Sequence, residues 1–185
     1  MQKPHDRIIL GIDPGTTLMG YGIIQGIGKN PGYIDMGILD LKKSGDHYMK
    51  LRKIYEGTLA LMEKYLPDEV AIEAPFFGKN VQSMLKLGRA QGVAMAAVLT
   101  RDVPVFEYAP RKIKLSITSA GDASKEQVAG MLARMFDLKE IPKNLDATDG
   151  LAVAVCHFYQ RGVAQKKPGA NSWEDYIRKN PGKVK

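Results

Sequence analysis

The chain has 185 residues, of which 44% are hydrophobic and 25% are charged, and its formal net charge is +7. This length allows one well-buried domain with terminal extensions, and the composition is that of an ordinary soluble globular protein. A single cysteine, Cys156, excludes an intramolecular disulfide and a cysteine zinc cluster, and the lack of a signal-type N-terminus or an uninterrupted membrane segment predicts a cytoplasmic protein.

The positive charge is concentrated in two parts of the chain. Residues 78–125 contain eight basic and three acidic residues, and residues 161–185 contain seven basic and two acidic residues. A basic band and a basic tail favour a polyanionic partner such as nucleic acid. A solvated surface with a solubilising tail fits the same distribution.

The N-terminal part of the chain has the pattern of a β-meander. Three apolar runs predict consecutive strands near 7–13, 20–27 and 33–41. Gly15 and the segment "GKNPG" over 28–32 supply the turns between them. Short turns of this kind connect neighbouring antiparallel strands.

Helices and strands alternate after the meander. Helical spacing of apolar residues predicts a helix over 47–66, ended by Pro67 and followed by a strand over 69–74. The later predicted elements are a helix over 79–101, a strand over 103–108, and helices over 110–118, 124–137 and 145–163. This order predicts an α/β fold, a mixed sheet with helices on both faces. It also predicts one domain over 1–163 and a flexible, basic C-terminal tail over 164–185.

Acidic residues stand where apolar runs end. Asp13 and Glu73 finish two predicted strands, at the sheet edge where α/β proteins tend to have their sites. Asp146 and Asp149 begin the last predicted helix and, three residues apart, share one of its faces. Either aspartate alone also fits a helix cap, because a carboxylate complements the helix dipole without any chemistry.

Together these four carboxylates predict a metal site. If they meet at one end of the sheet, their mutual repulsion raises their pKa values and strains the fold unless cations neutralise them. Carboxylate oxygens suit Mg²⁺ or Mn²⁺, and two such ions about 3.5 to 4 Å apart support phosphodiester hydrolysis. We therefore interpret Asp13 as a bridging metal ligand on a rigid strand.

Five stretches of this chain resemble one known family. They are "ILGIDPGTTLMGYGII", "VAIEAPFFGKN", "SMLKLGRAQGVA", "VPVFEYAPRKIKLSI" and "DATDGLAVAV", and the match runs from about Ile8 to Phe158. In this order they resemble the RuvC family of bacterial Holliday junction resolvases, nucleases of the RNase H-like superfamily. The resemblance implies an RNase H-like mixed five-stranded sheet with helices on both faces.

The same resemblance implies an activity. A homodimer would cut two opposed strands of a four-way DNA junction symmetrically, in homologous recombination and DNA repair. It assigns Asp13, Glu73, Asp146 and Asp149 to catalysis and to the coordination of two Mg²⁺ ions, for which Mn²⁺ can substitute. It also suggests cooperation with a branch-migration motor complex.

Residues that contact DNA are also implied by the resemblance. Phe76 corresponds to an aromatic residue that stacks at the branch point, although an ordinary buried phenylalanine fits the same position. Lys114 and Lys125 correspond to basic residues near the scissile phosphate. The remaining candidate DNA contacts are Lys79, Asn80, Arg89, Arg111 and Lys112. Phosphate contacts of this kind make DNA binding strongly dependent on salt.

Three positions depart from the family pattern. Relatives often have "LGQARG" where this chain has "LGRAQG", which moves the arginine to position 89. Ser119 replaces a common glycine in the loop before Lys125, and Gly150 stands where alanine is usual, at a modest cost in helix propensity.

The long helix predicted over 79–101 is the candidate dimer contact. It is rich in small residues, which permit close helix approach: Gly88, Ala90, Gly92, Ala94, Ala96 and Ala97. Burial of this helix against the sheet would explain the same composition without a dimer.

Three other functions fit parts of the sequence. "GIDPGTT" also resembles the phosphate loop of sugar kinases and actin-like ATPases, but those proteins need a second lobe. A related nuclease acting on RNA, or a module that only binds junctions, would share some of the motifs. Metal-dependent cleavage of junction DNA discriminates among them.

Overall fold

The computed structural model describes residues 7–75 and 80–164, with side chains described as far as residue 160. Its five strands form one mixed sheet of order β3-β2-β1-β4-β5. The strands are β1 (Arg7–Asp13), β2 (Leu18–Ile27), β3 (Asn30–Asp40), β4 (Glu69–Glu73) and β5 (Val105–Tyr108). The first three pair antiparallel, whereas β1, β4 and β5 run parallel to one another. The predicted meander and the predicted α/β class are both confirmed.

Helices cover both faces of the sheet. In chain order they are α1 (His47–Tyr65), α2 (Val81–Leu99), α3 (Pro110–Thr118), α4 (Lys125–Met135) and α5 (Asp146–Ala164). Helices α1 and α2 pack on one face, and α3, α4 and α5 pack on the other. Strand β1 contacts both helical layers, because its successive side chains point to opposite faces of the sheet. Ile9 belongs to the α5 side and Leu10 to the α1 side.

Several predicted boundaries are wrong by two or three residues. Strand β3 begins at Asn30 instead of 33, because the turn after β2 needs only Gly28 and Lys29, and Gly28 has the positive φ of 59° typical of such turns. Strand β5 begins at Val105 instead of 103, and α4 ends at Met135 instead of 137. These errors fall at element ends, where hydrophobic periodicity gives the weakest signal.

Local capping explains where the helices begin and end. The side chain of Asp46 accepts from the backbone N–H of Met49 at the start of α1, and Leu66 ends that helix in the left-handed conformation just before Pro67. Ser124 and Gln127 form a reciprocal capping box at the start of α4. No helix in the described part of the chain is both long enough and apolar enough to cross a membrane.

Candidate metal-dependent active site

Asp13 and Glu73 lie side by side at one edge of the sheet. Strands β1 and β4 are parallel neighbours, with Ile12 opposite Ile72 in register, so the two acids that follow occupy matching positions. Both strands are buried apolar runs that end at these carboxylates. The sheet thus carries two acids to the same point, as their positions in the sequence predicted.

Asp146 and Asp149 occupy the first turn of α5. The side chain of Asn144 accepts from the backbone N–H of Asp146 at 3.0 Å, and the carbonyl of Leu145 accepts from the N–H of Asp149 at 3.1 Å. Both aspartates lie within the helix, where their charges complement its dipole. Their carboxylates also accept hydrogen bonds from Lys125, so their interactions extend beyond the helix dipole.

Glycines bring the start of α5 against the sheet. Gly20 is paired with Asp13 across the β1–β2 ladder, and a Cβ on Gly20 would lie 1.9 Å from the carbonyl oxygen of Asp146. A Cβ on Gly11 would similarly lie 2.2 Å from the carbonyl oxygen of Gly150. Only residues without a side chain allow this approach. The close packing places the two helix aspartates beside Asp13.

Four carboxylates therefore converge. One oxygen from each of Asp13, Asp146 and Asp149 lies within 4.8 Å of the others. Glu73 lines the same small cavity, of about 110 Å³, as Asp13 and Asp149. Carboxylates gathered in this way are suitable ligands for hard divalent cations such as Mg²⁺ or Mn²⁺. The carboxylate ligands therefore fit the predicted metal site: three aspartates are clustered, and Glu73 lines the same cavity.

The electrostatics of the cavity reflect this crowding. Burial, followed by the negative charges of Glu73 and Asp149, raises the pKa of Asp13 well above its ordinary value. Burial and the charge of Asp149 raise the pKa of Glu73 to about 7. Burial also raises the pKa of Asp149, although its hydrogen bond with Lys125 opposes the rise. Each of these shifts disfavours ionised carboxylates and would be relieved by a bound cation.

Lys125 lies inside the acidic cluster. Its Nζ donates to Asp146 Oδ1 at 3.0 Å and to Asp149 Oδ2 at 2.5 Å. Partial burial acts to lower the pKa of Lys125, but its bonds to Asp149 and Asp146 outweigh burial and raise the pKa above its ordinary value. The lysine is therefore charged and directly bonded to two of the candidate metal ligands.

The other predicted DNA contacts lie at different distances from this cavity. Lys114 lines it, and its charge acts against the rise in pKa of Glu73 and Asp149. Arg111 and Lys112 are exposed on the same helix α3. The Nζ of Lys112 lies 5.2 Å from the centre of the Tyr108 ring. Helix α3 therefore carries three basic residues, of which Lys114 lines the cavity with the acids.

The predictions on or near α2 are less closely tied to the cavity. Asn80 has a structural task, because its side chain accepts from the backbone N–H of Ser83 at 3.0 Å and caps α2. Arg89 is exposed and lines a separate groove with Val81 and Leu85. Phe76 and Lys79 lie outside the described residues.

Two buried polar residues were not predicted from the sequence. Gln91 on α2 is only 7% exposed, and its amide donates to the carbonyl of Glu73 at 3.3 Å and to Glu107 Oε2 at 2.8 Å. The fully buried His157 on α5 is hydrogen-bonded to Tyr108 at 2.8 Å and Glu69 at 2.9 Å. In both cases a polar residue within an apolar helical stretch could have indicated a buried hydrogen bond. The sequence does not show which residue is the hydrogen-bond partner.

The chain is similar to crossover junction endodeoxyribonucleases over most of its length. The family model described as crossover junction endodeoxyribonuclease RuvC matches residues 9–157. The crossover junction endodeoxyribonuclease RuvC of Bacteroides fragilis is 62% identical over 187 residues, which cover 100% of both chains.

Solved structures are similar to this fold as well. Thermus thermophilus RuvC in complex with a Holliday junction substrate has a TM-score of 0.77 at 29% identity, covering 85% of this chain and 96% of that one. The yeast mitochondrial Holliday junction resolvase Ydc2 has a TM-score of 0.62 at 14% identity, covering 86% of this chain and 82% of that one. At so low an identity, the yeast protein supports the fold alone.

Proposed function

Because the chain belongs to the RuvC family of crossover junction endodeoxyribonucleases, we propose that it resolves four-way DNA junctions by paired, symmetric phosphodiester hydrolysis. The single observation that supports this most strongly is the convergence of Asp13, Asp146 and Asp149 within 4.8 Å. Family membership argues against the sugar-kinase interpretation of "GIDPGTT". The expected setting is homologous recombination and repair in the cytoplasm.

The proposed metal ligands are Asp13, Glu73, Asp146 and Asp149, with two Mg²⁺ ions that Mn²⁺ can replace. When bound, such a pair of ions supplies an activated water and stabilises the leaving oxygen. Asp13 and Glu73 are held on strand ends, which gives the site a rigid base. The partial burial of Asp13, Glu73 and Asp149 strengthens the charge interactions among them.

Basic residues around the cavity are the proposed phosphate contacts. Lys114 and Lys125 lie closest to the acids, so we assign them to the scissile phosphate. Arg111 and Lys112 on the exposed side of α3 would hold the neighbouring backbone. Asn80, Arg89 and the two residues outside the described range, Phe76 and Lys79, complete the proposed DNA surface.

A homodimer through α2 would place two such sites on one junction. The sheet-facing side of α2 buries Ala90, Ala94 and Ala97, so part of its small-residue content serves the core. Gly88, Gly92 and Ala96, spaced four residues apart, are not among the buried residues, and a Cβ on either glycine would meet nothing within 4 Å. A second copy can approach closely along such a face. Cooperation with a branch-migration motor remains part of the proposal.

Cleavage of synthetic junctions tests this function. Wild type with Mg²⁺ should cut a four-way junction at two opposed positions and leave linear duplex and structured RNA largely intact. Glu73→Gln should bind the junction as tightly as wild type but cut it at least about 100-fold more slowly, because a metal ligand is lost. Undiminished cutting by Glu73→Gln, or equal cutting of linear duplex, would contradict the proposal.

A further inference from the structure

We infer that Lys125 is an internal counter-ion that competes with the metal for Asp146 and Asp149, and that metal entry displaces its ammonium toward the DNA phosphate. The inference rests on the proposed function and deepens it.

The contacts of Lys125 make the competition direct. Its Nζ lies 3.0 Å from an oxygen of Asp146 and 2.5 Å from an oxygen of Asp149, and both of these aspartates belong to the clustered group that could hold an ion. A divalent cation on the same two carboxylates would face the ammonium at short range. Two positive charges so close repel strongly in a partly buried cavity. Both cannot be held by the same pair of carboxylates without a large energetic cost.

The position of Lys125 in its helix favours its departure. It is the first residue of α4, directly after the cap residue Ser124. A positive charge is disfavoured at a helix N-terminus, because the unpaired N–H groups there carry partial positive charge. The attraction of Asp146 and Asp149 offsets this repulsion only while no metal neutralises them. Once they are neutralised, the helix N-terminus disfavours keeping the ammonium in place.

The side chain can also move without disturbing the core. Lys125 lines the cavity with half of its side-chain surface exposed, and its four-carbon stem is flexible. Neighbouring Val128 and Ala129 hold the helix in the core independently of that stem. A rotation about the side-chain bonds is therefore sufficient to transfer the ammonium from the acids to a bound phosphate.

Metal affinity in the absence of DNA tests the competition. Titration calorimetry with Mg²⁺ at pH 8 should show Lys125→Met binding about fivefold or more tightly than wild type, since a competing cation is removed. Lys112→Met is the control, because Lys112 is exposed on α3 with its Nζ 5.2 Å from the centre of the Tyr108 ring, and its effect should stay below about twofold. Equal or weaker Mg²⁺ binding by Lys125→Met would overturn the inference. Thermal unfolding of each variant shows whether it is folded.

A second measurement uses the wild-type chain. Acylation of lysine amines, read by mass spectrometry, should label Lys125 at least about threefold faster after Mg²⁺ addition, because the displaced side chain leaves its two carboxylates and becomes more accessible to the reagent. Lys112, exposed on α3, serves as the internal control and should change little. Unchanged labelling of Lys125 would contradict the displacement. If wild type neither binds Mg²⁺ nor cuts junctions, the proposed function fails; if it does both without these two effects, this inference alone fails.

Discussion

At the scale of single residues, Glu73 makes the metal-free protein sensitive to pH. Its folded-state pKa is about 7 against an ordinary value of 4.5, so between these pH values the folded chain keeps a proton that the unfolded chain releases. Stability is therefore lost as pH rises from about 4.5 to 7. The pKa of Asp13 is raised in the same direction.

Denaturant unfolding in EDTA measures this effect. The free energy of unfolding of wild type should fall between pH 5 and pH 8, with Glu73 contributing about 2 to 3 kcal/mol to the fall. Glu73→Gln should show a smaller fall, since its amide does not ionise, and Mg²⁺ should reduce the fall in wild type. Parallel curves for the two proteins would show that Glu73 is not the titrating group.

Ser119 is a residue in an unfavourable backbone conformation. It ends α3 with φ 60°, in the left-handed region that favours glycine. Ser119→Gly should raise the free energy of unfolding by about 0.5 to 1 kcal/mol, measured by urea denaturation. Ser116→Gly inside the same helix is the control and should lower stability by about 0.5 kcal/mol. A loss of stability in Ser119→Gly would mean that the hydroxyl has a role not seen in its contacts.

At the scale of secondary-structure elements, the approach of α5 to the sheet depends on Gly150. The sequence suggested only a modest helix-propensity cost at this position, but a Cβ there would lie 2.4 Å from the backbone Cα of Tyr21. Gly150→Ala should therefore destabilise the protein by about 2 to 3 kcal/mol and weaken Mg²⁺ binding, because α5 carries two of the acids. Gly130→Ala on α4, where a Cβ meets nothing within 4 Å, should instead be neutral or stabilising. Calorimetry and thermal unfolding decide between these outcomes.

Gln91 connects α2 to the end of β4. Its buried amide bonds the carbonyl of Glu73 and the carboxylate of Glu107. Gln91→Met removes both bonds at similar volume and should cost about 1 to 3 kcal/mol of stability and lower kcat for junction cleavage more than it changes KM. Gln82→Met, at an exposed position of the same helix, should change neither quantity. An unchanged kcat in Gln91→Met would limit this residue to a structural role.

At the scale of the whole molecule, two sites per particle require the dimer proposed along α2. Gly92→Gln adds a side chain on the outer face of α2, where a Cβ meets nothing within 4 Å, and improves helix propensity in the monomer. Sedimentation should therefore show a shift toward monomer without loss of thermal stability. The fraction of junctions cut on both strands should fall as the dimer is lost. Gly130→Gln, at an equally open position on α4, is the control and should stay dimeric; a dimeric Gly92→Gln would place the interface elsewhere.

The sequence by itself determined the elements and the acids. Apolar periodicity is a local property, so the three-strand meander, the alternating helices and strands, and the carboxylates at their ends were all predicted from neighbouring residues. Asp13 and Glu73 follow buried runs, and parallel strands bring their carboxyl ends to one edge. Asp146 and Asp149 were grouped with them because they too stand at the edge of an apolar run, and the family motifs implied the same four acids.

Only the tertiary structure decided which distant side chains meet. The bonds of Lys125 to Asp146 and Asp149, of Gln91 to the Glu73 carbonyl, and the close contact at Gly150 join segments separated by at least 18 residues. Such contacts depend on how far apart the packed layers lie and at which turn of a helix a side chain faces inward. Local propensity carries no information about either quantity, because both are set by the combined packing of the whole core.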